Sequence, residues 1–223
     1  MEPEFWIERW QRNEIGFHQG RVNVYLEQLW SGLIPDPYCP VFVPLCGKSQ
    51  DMAWLRARGH TVVGVELSRL AVESFFTELQ LVPTCRNVDG MELFESPGYT
   101  IYCGDYFALK SQHLAHVCAS YDRASLVALP PPLRQRYAQH MAQLLAPGVV
   151  ILLIALDYPA AQMQGPPFSV NDAEVHALYG ELFAIRSLSV RETLNDNPRF
   201  KERGLTRLDE CVYALHRITT VAT

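Results

Sequence analysis

From about residue 41 onward, short apolar runs alternate with helix-patterned stretches, and this alternation constrains the chain more than any other feature. Residues 41–45 read as a strand, and a helix follows over about 50–58, stopped by Gly59. Residues 61–66 (TVVGVE) are the next strand. Ser68 is then placed to cap a helix that carries Leu70, Ala71, Phe75 and Leu79 at helical spacing. Further strands fit 100–103, 116–121 and 149–156. Between the last two, Pro130–Pro132 opens a helix bearing Leu133, Tyr137, Met141 and Leu144, and Pro147-Gly148 ends it. Such alternation implies a parallel sheet with helices on both faces, and the unbroken run VVILLIAL (149–156) suits a strand buried on both sides. Apolar runs near 183–190 and 211–218 are expected to form a closing hairpin. Ahead of the first strand, Val22, Tyr25, Leu26, Leu29, Trp30 and Leu33 line one face of an amphipathic helix that would cover the open end of the sheet. The expected architecture is doubly wound α/β with an N-terminal helical extension.

Composition narrows the class. The 223 residues contain no Gly/Ser-rich or charged linker, which points to one domain over 1–223, with 1–35 as helical cover and 36–223 as a Rossmann-like core. Nineteen basic against 24 acidic residues argue against a nucleic-acid partner. The 149–156 run falls short of the ~20 residues a membrane span needs, and the acidic, aromatic N-terminus does not read as a signal peptide. The six cysteines include no CxxC and read as small reduced hydrophobes of a cytoplasmic protein, with no spacing for a metal site. Nothing obliges the chain to be more than a monomer.

In an open α/β sheet, ligands bind beyond the carboxyl ends of the strands. The first strand runs into Pro44-Leu45-Cys46-Gly47-Lys48-Ser49, and the second ends in Glu66, at the offset where an acid meets ribose hydroxyls. A carboxylate there accepts two hydrogen bonds from a cis-diol. Gly-Lys-Ser is not a P-loop, because GxxxxGK[ST] would place Gly at position 42, which is Phe42. G-x-G-x-x-G is absent as well, so a nucleoside without phosphates, such as S-adenosylmethionine, suits the loop better than a dinucleotide. Gly104-Asp105-Tyr106-Phe107 follows the third strand, where Asp105 would accept from an adenine amine or simply make a turn. Asp122-Arg123 ends the fourth strand as a structural ion pair or as a polar substrate contact.

Taken together, these stretches resemble the thiopurine S-methyltransferase family, particularly its bacterial members. The matching residues are Trp6, Trp10 and Gly16-Phe17-His18-Gln19, then VFVPLCGKSQDMAWL (41–55), GHTVVGVELSRLAVESFF (59–76) and CGDYF (103–107). YDRASLVALPPPLRQRYA (121–138) and GPPFSV (165–170) complete an ordered set. The resemblance implies a class I S-adenosylmethionine-dependent methyltransferase with a mostly parallel seven-stranded sheet and an antiparallel last strand. It places Trp10, Leu45, Glu66, Gly104, Asp105 and Arg123 at the cofactor, which leaves as S-adenosylhomocysteine. Phe17, Arg123 and Arg199 would face a small thiol acceptor, and bacterial members extend this to selenium or tellurium compounds.

Methyl transfer from sulfonium to sulfur needs alignment and a dry site more than a general base. Arg123 is therefore expected to favour the anionic thiolate electrostatically. His18, read as opening a helix, and Asp122 are the nearest proton acceptors; Trp6, Trp10 and Phe17 would form an aromatic lid. The stiff turn Gly165-Pro166-Pro167-Phe168 would wall the acceptor pocket, with Phe168 as its apolar contact. Two other classes stay open from the residues alone: a non-catalytic binder of S-adenosylmethionine or metalloids, and a nicotinamide-dependent oxidoreductase.

Overall fold

The structure, a computed structural model, describes residues 3–219, so the ends of the span expected as one domain lie outside the described residues. The chain forms two compact units, which meet in sequence after Tyr121. The first contains α1 (Pro3–Gln11), α2 (Val24–Leu33), β1 (Val41–Val43), α3 (Gln50–Ala57), β2 (Val62–Glu66) and α4 (Arg69–Glu78). It continues with β3 (Thr84–Val88), β4 (Met91–Ser96), β5 (Tyr99–Cys103) and the first residues of β6 (Ala119–Arg123). Its strands lie in the order β3-β4-β5-β2-β1-β6. The set β5-β2-β1-β6 is parallel, and β3-β4-β5 is an antiparallel meander.

Local chemistry explains these elements. Every residue of β1 and β2 is buried, as a central parallel strand requires. Ser68 caps α4 by accepting the Ala71 N–H, as its position in the sequence implies. The helix buries Ala71, Val72, Phe75 and Phe76, while Leu70 faces solvent. Phe76 stacks on Phe94 of β4, and Phe75 meets Tyr99 of β5 edge-on. The amphipathic helix expected ahead of the sheet is α2, and buried polar groups anchor it. Trp30 Nε1 donates to His60 Nε2 (2.9 Å), whose Nδ1 donates in turn to the Cys39 carbonyl (2.9 Å). Asp51 accepts from the Asn23 N–H and the Tyr121 hydroxyl.

Two expectations are corrected. Cys39 and Cys118 are joined by a disulfide, so not all six cysteines are thiols. The parallel pairing of Val41 with Ala119 brings these residues together across 79 positions, which is why no local spacing reveals the pair. The described residues also hold nine strands rather than seven; the surplus is the β3–β4 hairpin, whose first strand is almost wholly exposed and carries no apolar period.

The second unit contains α5 (Pro131–Leu144), β7 (Val150–Asp157), α6 (Asp172–Tyr179), β8 (Phe183–Glu192), α7 (Pro198–Glu202) and β9 (Asp209–Arg217). Its strands lie in the order β7-β9-β8, with β9 antiparallel to both neighbours, as expected of the last strand. The link from β8 to β9 carries α7 instead of a tight turn. Tyr158, Met163, Leu194, Leu205 and Leu208 form a small core under this insertion, with Phe200 of α7 packed against it.

Candidate functional site

In the first unit the expected cofactor residues gather where β1, β2 and β5 end. Leu45 has φ +44°, an uncommon backbone state for a branched side chain, and Gly47 follows at +51°. This turn aims the Gly47 N–H at Glu66. Glu66 Oε2 accepts it at 2.9 Å, and Oε1 accepts the Ser68 N–H at 2.8 Å. The carboxylate therefore ties the loop after β1 to the N-cap of α4. Burial pushes the Glu66 carboxyl up from its ordinary range, while backbone N–H groups of Ser68, Gly47 and Leu67 pull it down. Burial likewise pushes the Cys46 thiol up, and the neighbouring Glu66 charge adds to it.

Trp10, the one buried residue of α1, lies against this loop: a Cβ on Gly47 would stand 3.1 Å from its ring. Phe17 packs edge-on against Trp10 (5.6 Å) and Trp6 (5.5 Å), so the three rings form one cluster with Phe17 partly exposed. His18 lies in a turn, its N–H donating to the Ile15 carbonyl, and opens no helix; α2 starts only at Val24, capped by Asn23. At the end of β5, the Gly104 N–H donates to the Glu66 carbonyl, and Met91 fills the space that a Gly104 side chain would need. Asp105 is exposed, and its Oδ1 caps a short 3₁₀ turn by accepting the Phe107 N–H (3.0 Å). Tyr106, rather than Phe107, is the buried aromatic there.

The second unit holds Arg123, Phe168 and Arg199. Arg123 is half-buried at the end of β6 and precedes Ala124, which has φ +66°. Leu45 and Ala124 are the apolar residues with left-handed backbone among those described, and each follows a strand end that the sequence marks as functional. Asp122 is buried and accepts the Tyr137 hydroxyl at 2.7 Å. Burial pushes its carboxyl up to about 6, against the pull of the Tyr137 and Ser125 hydroxyls. Phe168 is half-buried, with its N–H donated to the Val127 carbonyl (2.6 Å). Tyr158 donates its hydroxyl to the Pro167 carbonyl (2.7 Å) and belongs to the core on which Phe200 rests. Arg199, next to Phe200 on α7, is exposed.

Sequence reading passed over Arg134, which is buried on α5. The signal was available, since residues 134, 137, 138 and 141 form the inward stripe of that helix and Leu133 sits at its margin. The backbone donors on Glu66 had no sequence signal, because any residue supplies an N–H. Among the described residues, no group of three or more His, Cys, Asp or Glu could hold a metal ion.

Over 96% of the chain, the solved Anabaena variabilis S-adenosylmethionine-dependent methyltransferase superposes with a TM-score of 0.62 at 12% identity, covering 94% of that protein. The Burkholderia thailandensis 1,6-didemethyltoxoflavin-N1-methyltransferase, solved with S-adenosylhomocysteine, gives 0.64 over 97% of this chain and 87% of its own, also at 12% identity. The fold is thus that of a class I S-adenosylmethionine-dependent methyltransferase. Residues 1–218 match the family described as Thiopurine S-methyltransferase (TPMT). A thiopurine S-methyltransferase of Nitrosospira multiformis is 51% identical over 96% of this chain and 98% of its own. One from Pseudomonas fluorescens is 45% identical over 98% of this chain and its full length. The chain belongs to the thiopurine S-methyltransferase family, and S-adenosylmethionine is its cofactor.

Proposed function

We propose that the chain methylates the sulfur of aromatic or heterocyclic thiols such as thiopurines, and selenium or tellurium compounds of similar reactivity. The cofactor is read on Trp10, Leu45, Glu66, Gly104, Asp105 and Arg123, and the acceptor on Phe17, Arg123, Phe168 and Arg199. We read the chain as one cytoplasmic, monomeric methyltransferase domain. The observation that carries this reading is Glu66, a buried carboxylate at the end of β2 whose two oxygens accept the Gly47 and Ser68 N–H groups and stand where a ribose diol would meet them.

S-adenosylmethionine, when bound, supplies a methyl group activated by a sulfonium. The protein's part is binding, orientation and exclusion of water. Glu66 would hold the ribose. The Trp6–Trp10–Phe17 cluster would cover the loop beside it, drying the reacting centre and attracting positive charge to the aromatic faces. Arg123 would stabilise the acceptor as its thiolate, the proton passing to solvent, so that no side chain need act as general base.

Calorimetric titration with S-adenosylhomocysteine tests the reading on wild type and Glu66→Gln, which keeps a carbonyl acceptor for the loop. Saturable binding, weakened about tenfold or more in the variant, is expected, together with turnover of 6-mercaptopurine by the wild type. Equal binding by both proteins would remove Glu66 from the cofactor, and absence of turnover would remove the thiopurine acceptor.

A further inference from the structure

Arg134 is among the largest fully buried side chains, and a guanidinium there is costly unless every face of it is used. Nε donates to the Leu129 carbonyl (2.7 Å), and Nη1 pairs with Glu174 of α6. The guanidinium carbon stands 5.5 Å from the centroid of the Phe168 ring. An apolar residue of similar volume would fill this space at lower cost, so packing alone does not call for arginine. A planar guanidinium can do what an aliphatic chain cannot, namely hold two fixed polar partners while presenting its plane to an aromatic face.

The turn that carries Phe168 is held as well. Its N–H is taken by the Val127 carbonyl, and the preceding carbonyl is held by Tyr158. Gly165 has φ +69°, and a Cβ there would fall 2.5 Å from Phe168 Cδ1. The ring thus occupies the space that the glycine leaves vacant. This half-exposed phenyl ring thus sits on a backbone held at both ends, with Gly165 beneath it and the Arg134 guanidinium near its face.

We propose that Arg134 is a positioning residue for the methyl acceptor: anchored by Glu174 and the Leu129 carbonyl, it sets the plane of Phe168 so that an aromatic acceptor ring lies flat against it. The proposal rests on the reading of Phe168 as a wall of the acceptor pocket. Arg134 touches neither acceptor nor cofactor and acts only through Phe168. Its loss should weaken acceptor binding without slowing the bound complex, because a misaligned wall removes binding common to ground and transition states.

Steady-state kinetics with 6-mercaptopurine, on Arg134→Met, Arg134→Lys, Phe168→Leu and the Arg134→Met/Phe168→Leu double variant, tests this. Arg134→Met should raise the acceptor KM about tenfold, with kcat and S-adenosylhomocysteine affinity within about twofold of wild type, and Arg134→Lys should recover part of the loss. Phe168→Leu should raise KM similarly, and Arg134→Met should add nothing on that background. If Phe168→Leu leaves KM unchanged, the wall reading falls and the proposal with it. If Phe168→Leu raises KM but Arg134→Met does not, or if the two effects add, the wall stands and the proposal alone is overturned. Should Arg134→Met not fold, Glu174→Gln, which loosens the anchor and leaves the guanidinium in place, carries the same comparison with Phe168→Leu.

Discussion

Glu66 and Asp122 are both buried carboxylates, and burial pushes both up, but they are held differently. Backbone amides hold Glu66, whereas the hydroxyls of Tyr137 on α5 and of Ser125 just after β6 hold Asp122. Asp122 titrates at about 6 in the fold against an ordinary 3.8, so the folded chain keeps its proton at pH values where the unfolded chain has lost it. Stability from this group is therefore complete below about pH 4 and lost as pH rises through about 6, a change on the order of 3 kcal/mol. Asp122→Asn, which still accepts from Tyr137, should flatten that part of the stability curve, leaving the slope that Glu66 contributes in the same direction. Urea unfolding across this pH range would show it, and an unchanged slope would assign the titration elsewhere. The cysteines follow the same physics to another end. Burial pushes Cys46 well up, Cys103 to about 12 and Cys211 to about 11. The thiolate is the nucleophile, so these thiols stay protonated and do not compete with a substrate thiolate for the methyl group.

At the scale of elements, α1 buries one residue fully and leaves Phe5, Trp6, Ile7 and Arg9 half-buried. Trp10 is its buried residue, and the loop it covers presents the Gly47 N–H to Glu66. Trp10→Ala should leave the thermal midpoint nearly unchanged but weaken S-adenosylhomocysteine about fivefold and expose α1 to limited proteolysis. Undiminished affinity in the variant would make the aromatic cluster packing alone. The elements that sequence reading located are those whose signals are local: the Ser68 cap, the α2 stripe, the unbroken apolar run of β7 up to Leu156. The β3–β4 hairpin escaped because TCRNV is exposed and has no apolar face to betray it. Its Asp89-Gly90 turn, with both residues at positive φ, is a hairpin signal that was legible and went unused. The site divides in the same way. Glu66 was legible as an acid closing an apolar strand, while the donors that grip it are backbone groups that no residue type announces. The place of Arg134 on the inward stripe of α5 was legible, but its value becomes apparent only beside Phe168 and Glu174.

At the scale of the whole molecule, the Cys39–Cys118 bond links the segment before β1 to the segment before β6, across 79 positions. In the chain-entropy account, a closure of that length removes disorder from the unfolded state worth about 4.5 kcal/mol. Adding a reductant should therefore lower the thermal midpoint by roughly 10 °C, and a Cys39→Ser/Cys118→Ser double variant should start from the lower value and ignore the reductant. A midpoint indifferent to reductant would mean that the two sulfurs are thiols in solution. The covalent ring also encloses Leu45, Glu66, Gly104 and Asp105, the greater part of the residues read at the cofactor. A protease that cuts once at any point inside the ring, the exposed β3–β4 hairpin included, would release no fragment. The severed ends would stay tethered and run as a single band on a gel, separating into two only when the sulfur bridge is opened.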